Sequence, residues 1–151
     1  MERETPKLAH PQDGLHAEIT GVIIGAAKAV FRELGVGFLE KVYENALVVE
    51  LTQRGLRVQQ QVPIQVYYRG VLVGIFDADL LVEDLVIVEL KAIEMLGRIH
   101  EVQLVNYLRA TQVEVGLLIN FGGQFQVTRR LLTNDRKEGL PGRSRARCDS
   151  T

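Results

Sequence analysis

The sequence predicts one α/β (α+β) domain in which helices flank a mixed central sheet, with a core order of αβββαβ. Apolar residues recur at helical spacing in some segments, and between and after those segments they follow the alternation or the short buried runs that are typical of strands. The chain has 151 residues, of which 46% are hydrophobic and 25% charged, as in a single globular domain. We place this domain at residues 14–133, an N-terminal extension at 1–13 and a disordered tail at 134–151, where little can be buried.

Two helices open the domain. Apolar residues recur at helical spacing between residues 16 and 34, and the Gly-Val-Gly segment at 35–37 then stops the helix. A second helical pattern runs from 39 to 51, ends at Gly55 and carries Glu40 in its first turn.

A three-stranded meander is predicted next. Residues 62–68 alternate between apolar and polar, and the runs 71–82 and 85–91 are typical of two further strands. Arg69-Gly70 and Glu83-Asp84 are the predicted turns.

Helical spacing returns between residues 96 and 111, so a third helix follows the meander. A buried strand at 115–121 and a more exposed strand at 125–131 complete the domain, with a glycine turn at 122–123 between them. The exposed strand could pair across a homodimer.

Charged residues lie inside the apolar strands of the meander. Asp79 lies on one strand and Glu89 and Lys91 on the next, and burial of an unpaired charge is costly. Asp79 faces Glu89 only if the loop between the strands has an odd number of residues centred on Asp84. A plain two-residue turn would place Asp79 opposite Val88 instead.

A metal ion would give these charges a reason to lie together. Hard oxygen ligands suit Mg²⁺ or Mn²⁺, and Asp79, Glu89 and the carbonyl of Leu90 are the candidate ligands. Such an arrangement suits metal-assisted hydrolysis of a phosphodiester. In that reaction Lys91 would orient or help deprotonate the attacking water, or stabilise the charge that develops on the phosphate. Alternation alone leaves Asp77 open as a ligand in place of Asp79, since the two share a strand face.

Charge and cysteine content constrain the partner and the ligands. The formal net charge is −1, from 18 Lys+Arg and 19 Asp+Glu, and by itself it does not indicate a nucleic-acid binder. Acids at a metal site nevertheless allow a local basic groove with residues such as Arg98. The single cysteine, Cys148, excludes disulfide frameworks and cysteine-rich zinc sites.

A series of motifs in order resembles a known family. The chain carries Gly37-Phe38-Leu39-Glu40-Lys41-Val42-Tyr43, then Asp79, Glu89-Leu90-Lys91, Gln103-Leu104-Val105-Asn106-Tyr107 and Gly116-Leu117-Leu118-Ile119-Asn120-Phe121-Gly122. This series resembles the GxxExxY protein family of the PD-(D/E)xK nuclease superfamily, in its RecB-like or lambda-exonuclease-like QxxxY branch. The resemblance covers roughly residues 19–132 and implies a restriction-endonuclease-like core. Ala78 replaces the proline of the superfamily motif, and Phe31 stands where relatives often carry histidine.

The resemblance also implies residue roles. Glu40 is similar to the family acid that contacts the metal directly or through water, and Asp79 and Glu89 match the motif acids. Lys91 matches the motif lysine. Gln103 and Tyr107 resemble the QxxxY pair, which supports the site and the nucleic-acid strand; we assign contact with nucleic acid to Tyr107 and Arg98.

The predicted function is a nuclease that uses Mg²⁺ or Mn²⁺ to hydrolyse phosphodiester bonds in DNA. A catalytically idle nuclease-fold module that binds nucleic acid or a protein is the alternative. The choice between DNA and RNA, and between internal and terminal cleavage, is left open. We expect a cytoplasmic protein without membrane contact, because the sequence has neither the roughly 18-residue apolar run of a spanning helix nor the apolar segment of a signal peptide.

Overall fold

The computed structural model describes residues 14–137. Within them, the helices are α1 (Ala17–Leu34), α2 (Glu40–Gln53) and α3 (Arg98–Ala110), and the strands are β1 (Val58–Tyr68), β2 (Val71–Val82), β3 (Val86–Lys91), β4 (Val115–Asn120) and β5 (Gln126–Leu131). The predicted fold class and core order are confirmed. None of the helices in this part of the chain is long and apolar enough to cross a membrane.

The strands form one mixed sheet between two helical layers. The strand order is β1-β2-β3-β4-β5, with β3 and β4 parallel and the other neighbours antiparallel. Side chains alternate along β3: Val88 and Leu90 pack in the cluster of α1 and α2, whereas Ile87 packs in the cluster of α3. The sheet is therefore covered on both faces, as expected for a strand as apolar as β3.

The first strand is longer than its predicted range of 62–68. It begins at Val58, and residues 58–60 pair with residues 80–82 of β2. The glutamines at 59–61 concealed this segment, because β1 is an edge strand whose polar side chains are exposed. Gln61 has a left-handed backbone with φ 52°, which is uncommon for a residue other than glycine.

The hairpin between β2 and β3 has the register that the metal hypothesis requires. Its ladder pairs Leu80 with Val88 and Val82 with Val86, and the loop contains residues 83–85. This odd loop is possible because Glu83 and Asp84 adopt positive φ values of 53° and 55°. Continued by one residue, the register sets Asp79 opposite Glu89, so the requirement for an odd loop is confirmed.

The domain extends beyond the predicted boundary at residue 133. Asn134–Arg136 form a short 3-10 helix, and Lys137 is fully buried. The Lys137 ammonium donates hydrogen bonds to the carbonyls of Thr111 (3.0 Å) and Val113 (2.7 Å), just after α3. The prediction that the tail begins at 134 is therefore wrong for residues 134–137, because these carbonyls give the lysine a buried binding place. The extension at 1–13 and the tail at 138–151 lie outside the described residues.

The chain leaving β3 is fastened by Asn120 at the end of β4. Asn120 is buried, and its side chain exchanges hydrogen bonds with both backbone groups of Ile93, at 3.1 and 2.8 Å, and with both of Gly122, at 3.1 Å each. Only glycine fits at 122, because a Cβ there would collide with the carbonyl oxygen of Ile93. These contacts fix the backbone two residues after Lys91.

We expect Asn120→Ala to lower the free energy of unfolding by about 3 kcal/mol, because it leaves several buried backbone groups without partners. Urea unfolding measures this change. Asn45→Ala is the matched control, since Asn45 is exposed and accepts one hydrogen bond from Gln60. An equal loss of unfolding free energy in both variants would contradict the role of Asn120 in holding the segment after β3.

Candidate active site

Asp79 and Glu89 meet where β2 and β3 part. The backbone N–H of Asp79 donates to Oε1 of Glu89 at 3.0 Å, and the N–H of Leu90 donates to Oδ2 of Asp79 at 2.8 Å. Beyond this point β2 pairs only with β1, whereas β3 continues beside β4 to Lys91. At this point carboxylate oxygens, and not backbone carbonyls, accept the hydrogen bonds between the two strands. The two carboxylates therefore lie where the gap between β2 and β3 begins.

Both carboxyls of this pair have raised pKa values, and Asp79 disfavours the ionisation of Glu89. Burial raises the pKa of Glu89 from 4.5 to about 8, and the negative charge of Asp79 adds to this effect. Burial likewise raises the pKa of Asp79, although the hydrogen bond from the Leu90 N–H opposes the rise. A divalent cation would relieve both the repulsion and the loss of hydration.

The backbone of Leu90 adds an oxygen to this pair. The carbonyl of Lys91 accepts from Phe121 N–H at 2.8 Å and so faces β4. Successive carbonyls of a strand point to opposite sides, so the carbonyl of Leu90 faces the gap that β2 leaves. Two carboxylates and one carbonyl match the all-oxygen sets that Mg²⁺ and Mn²⁺ prefer, with water completing the shell.

Lys91 ends β3 beside these oxygens. Its positive charge lowers the pKa values of Glu40, Asp79 and Glu89. Among residues 14–137, however, its ammonium makes no hydrogen bond and no ion pair within 4.0 Å. The lysine is therefore close enough to act on the site and is not held by an acid.

Glu40 is the first residue of α2 and is half-buried. Burial raises its pKa; Lys91 lowers it and Asp79 raises it, so Glu40 lies near the pair. Within the described part of the chain, no group of three or more His, Cys, Asp or Glu side chains is arranged to hold a metal ion. Glu40 therefore does not complete a ready ligand set with Asp79 and Glu89, and its predicted contact with the metal stays a prediction.

The contacts of Tyr43 give a structural reason for the spacing of Gly37, Glu40 and Tyr43 in the first motif. It is fully buried; its hydroxyl donates to the carbonyl of Gly35 at 2.6 Å and accepts from Phe38 N–H at 3.3 Å. Its ring stacks on Phe121 at a centroid distance of 4.7 Å. The tyrosine thus holds the loop before α2, where Gly37 has φ 108°, and the loop in turn sets the position of Glu40.

Gln103 and Tyr107 lie together on α3. The Gln103 amide donates to the Tyr107 hydroxyl at 3.0 Å, as expected for residues four apart on a helix. Burial raises the pKa of Tyr107, and the charge of Glu89 raises it further, which places the phenol near the acids. Arg98 is the exposed first residue of α3, and its predicted contact with nucleic acid is neither supported nor contradicted by any bond in the structure.

The sequence analysis missed Glu44 and Gln61. Glu44 on α2 is buried and accepts from Lys41 (2.6 Å), Gln60 (2.9 Å) and Gln61 (2.7 Å). The Gln61 amide also approaches Oδ1 of Asp79 at 3.4 Å. The sequence contained a signal for Glu44, because this acid shares its helical side with residues of the core. A buried acid there needs polar partners.

The environments of Asp77 and Asp79 differ. Asp77 is exposed and pairs across the strands with Pro63, whereas Asp79 makes the hydrogen bonds to β3. The alternation that left both acids open as ligands is interrupted here: Ala78 packs in the cluster of α3, and Leu80 packs in that of α1 and α2.

One of three comparisons with known proteins finds a match. No curated protein and no solved structure matches the chain significantly. A scan against protein-family models matches residues 17–131 to the PD-(D/E)XK nuclease superfamily, and the mixed sheet with its flanking helices is consistent with the restriction-endonuclease-like fold of that group. The narrower GxxExxY family and the RecB-like branch stay predictions. Since the match spans most of the chain, and the acids and the lysine lie together, this protein belongs to the PD-(D/E)XK nuclease superfamily.

Proposed function

We propose that this protein is a divalent-metal-dependent nuclease that hydrolyses phosphodiester bonds in DNA. The observation that carries the proposal is the site where β2 and β3 part. Two carboxyls with raised pKa values face each other there, beside a lysine that makes no ion pair with any residue from 14 to 137. Such perturbed groups are typical of functional sites.

The residues present fit Mg²⁺ or Mn²⁺. Asp79, Glu89 and the carbonyl of Leu90 would hold the ion, with Glu40 as a further acid nearby. A bound divalent cation supplies a Lewis acid for the phosphate and lowers the pKa of a coordinated water. Lys91 would pair with the phosphate oxygens and stabilise the charge that grows on them in the transition state.

DNA is the proposed substrate because the superfamily is one of nucleases and because Lys91, which forms no ion pair within the described part of the chain, offers a positive charge for a phosphate. We further propose a cytoplasmic location. A homodimer through β5 also stays a proposal; among the described strands β5 lies at the edge of the sheet, the position from which a strand can pair with another chain.

The test is incubation of the full chain with linear and circular DNA, single- and double-stranded, in Mg²⁺, Mn²⁺ or EDTA. We expect cleavage with either metal, none in EDTA, and none with Asp79→Asn or Glu89→Gln, which keep the size of the side chains. Glu83→Gln is the matched control, since Glu83 lies in the loop after β2 and bonds Arg57. Cleavage in EDTA, or full activity in Asp79→Asn, would contradict the proposal. Metal binding without cleavage of any DNA would favour the idle binding module.

A further inference from the structure

A groove of about 560 Å³ lies between α3 and the hairpin of β1 and β2. The hairpin forms one wall because the part of β2 before Leu80 pairs with β1 and not with β3, whereas α3 forms the other wall. The volume is within the range of roughly 300–1,000 Å³ that is typical of small-ligand sites. The apolar lining comes from both walls: Val66, Phe76, Ile99, Val102, Tyr107 and Ala110.

Three of the apolar side chains that line this groove are open to solvent. Phe76 is 48% exposed, Val102 is 42% exposed and Ile99 is 69% exposed. The Phe76 ring lies 6.2 Å from that of Tyr107, at an angle of 37°. The groove therefore offers a partly open aromatic face beside aliphatic side chains, and such contiguous apolar surface is typical of a binding site.

The polar groups at the groove complement an anionic strand. Lys91 and Arg109 contribute positive charge, Gln103 and Asn106 contribute amides, and no acid lines the groove in the described part of the chain. Lys91 is shared with the candidate active site, while Asp79 and Glu89 lie outside the lining. The groove therefore adjoins Lys91, the residue that would face the phosphate.

We propose that this groove binds unpaired bases of the substrate strand next to the bond that is cut. This inference rests on the proposed nuclease function and specifies its substrate as DNA with unpaired nucleotides at the site. In a duplex, the base faces are covered by their neighbours, whereas an unpaired base can stack on an aromatic ring such as Phe76. A volume of about 560 Å³ is that of a small-ligand site, so the groove suits individual bases rather than a whole duplex.

The first test is binding of a single-stranded DNA oligonucleotide that contains 2-aminopurine, a fluorescent base whose emission falls on stacking. Ca²⁺ replaces Mg²⁺ so that binding is read apart from cleavage. We expect quenching with the wild type, and with Phe76→Ala a loss of quenching and an affinity lower by about 5- to 100-fold. Ile75→Ala is the matched control, because Ile75 is exposed on the same strand and does not line the groove. It should behave as the wild type.

A second variant guards against a folding defect in Phe76→Ala. Val102→Glu leaves the Phe76 ring in place and puts a negative charge into the groove, where it repels an anionic strand, and we expect it to weaken strand binding as well. Wild-type affinity and quenching in both variants would overturn the proposal. Competition by a blunt duplex as strong as that by the unlabelled single strand would also overturn it.

Failure of this inference and failure of the nuclease proposal give different results. Quenching that depends on Phe76, without cleavage in Mg²⁺ or Mn²⁺, supports the groove and contradicts the nuclease. Cleavage that is equal for single-stranded and blunt duplex DNA, and unchanged in Phe76→Ala and Val102→Glu, supports the nuclease and contradicts the groove.

Discussion

Lys91→Met is expected to slow metal-dependent DNA cleavage by about 10³-fold, because it removes the cation that would stabilise the reacting phosphate. The protein should stay folded, since Lys91 is half-buried and its ammonium has no hydrogen bond or ion pair among the described residues. Single-turnover cleavage at saturating enzyme measures the chemical step directly. Lys28→Met, on the exposed side of α1, is the matched control and should retain full activity.

The same variant separates the role of the lysine from that of the acids. Lys91 favours the ionised forms of Asp79 and Glu89, but its positive charge also repels a bound cation. We therefore expect Lys91→Met to retain or strengthen stabilisation by Mn²⁺, whereas Glu89→Gln should lose it. Cleavage by Lys91→Met within 10-fold of the wild type, at saturating metal (about 100 times the Kd), would show that the lysine has no catalytic role.

The central part of the site could be predicted because charge conflicts with the apolar pattern of two strands. Asp79 and Glu89 are conspicuous in runs that otherwise read as buried, and the requirement that they face each other fixed the loop length in advance. The helical pairing of Gln103 with Tyr107 was predictable for the same kind of reason, since it depends only on local periodicity.

Other parts of the site depend on contacts between distant segments. Glu44 reads as one more acid on a helix until β1 brings Gln60 and Gln61 to it. The left-handed backbone of Gln61 has no local sequence signal such as glycine. Likewise, Lys137 reads as part of a polar tail, because its carbonyl partners lie 26 and 24 residues earlier in the chain.

The free energy of unfolding of the metal-free protein is expected to fall as pH rises from 5 to 8. Folded Glu89 keeps its proton up to a pKa of about 8, whereas in the unfolded chain it loses the proton near 4.5. The folded state therefore binds more protons across this window, so stability decreases with rising pH, by up to about 4 kcal/mol. The raised pKa values of Asp79 and Glu40 act in the same direction. Urea unfolding in EDTA at several pH values measures the slope.

Glu89→Gln tests the origin of this slope, because glutamine has the shape of the protonated acid and can still accept the Asp79 N–H. At pH 8 without metal the variant should be more stable than the wild type, and its stability should change little between pH 5 and 8. Glu83→Gln should keep the slope, since hydrogen bonds from Arg57 lower the pKa of Glu83 and its effect lies below pH 4.5. Mn²⁺ should stabilise the wild type more at pH 8 than at pH 5.5, because the ion binds the ionised carboxylates. A wild type whose metal-free stability is flat or rises from pH 5 to 8 would contradict the buried, mutually repelling pair, whatever the protein cleaves.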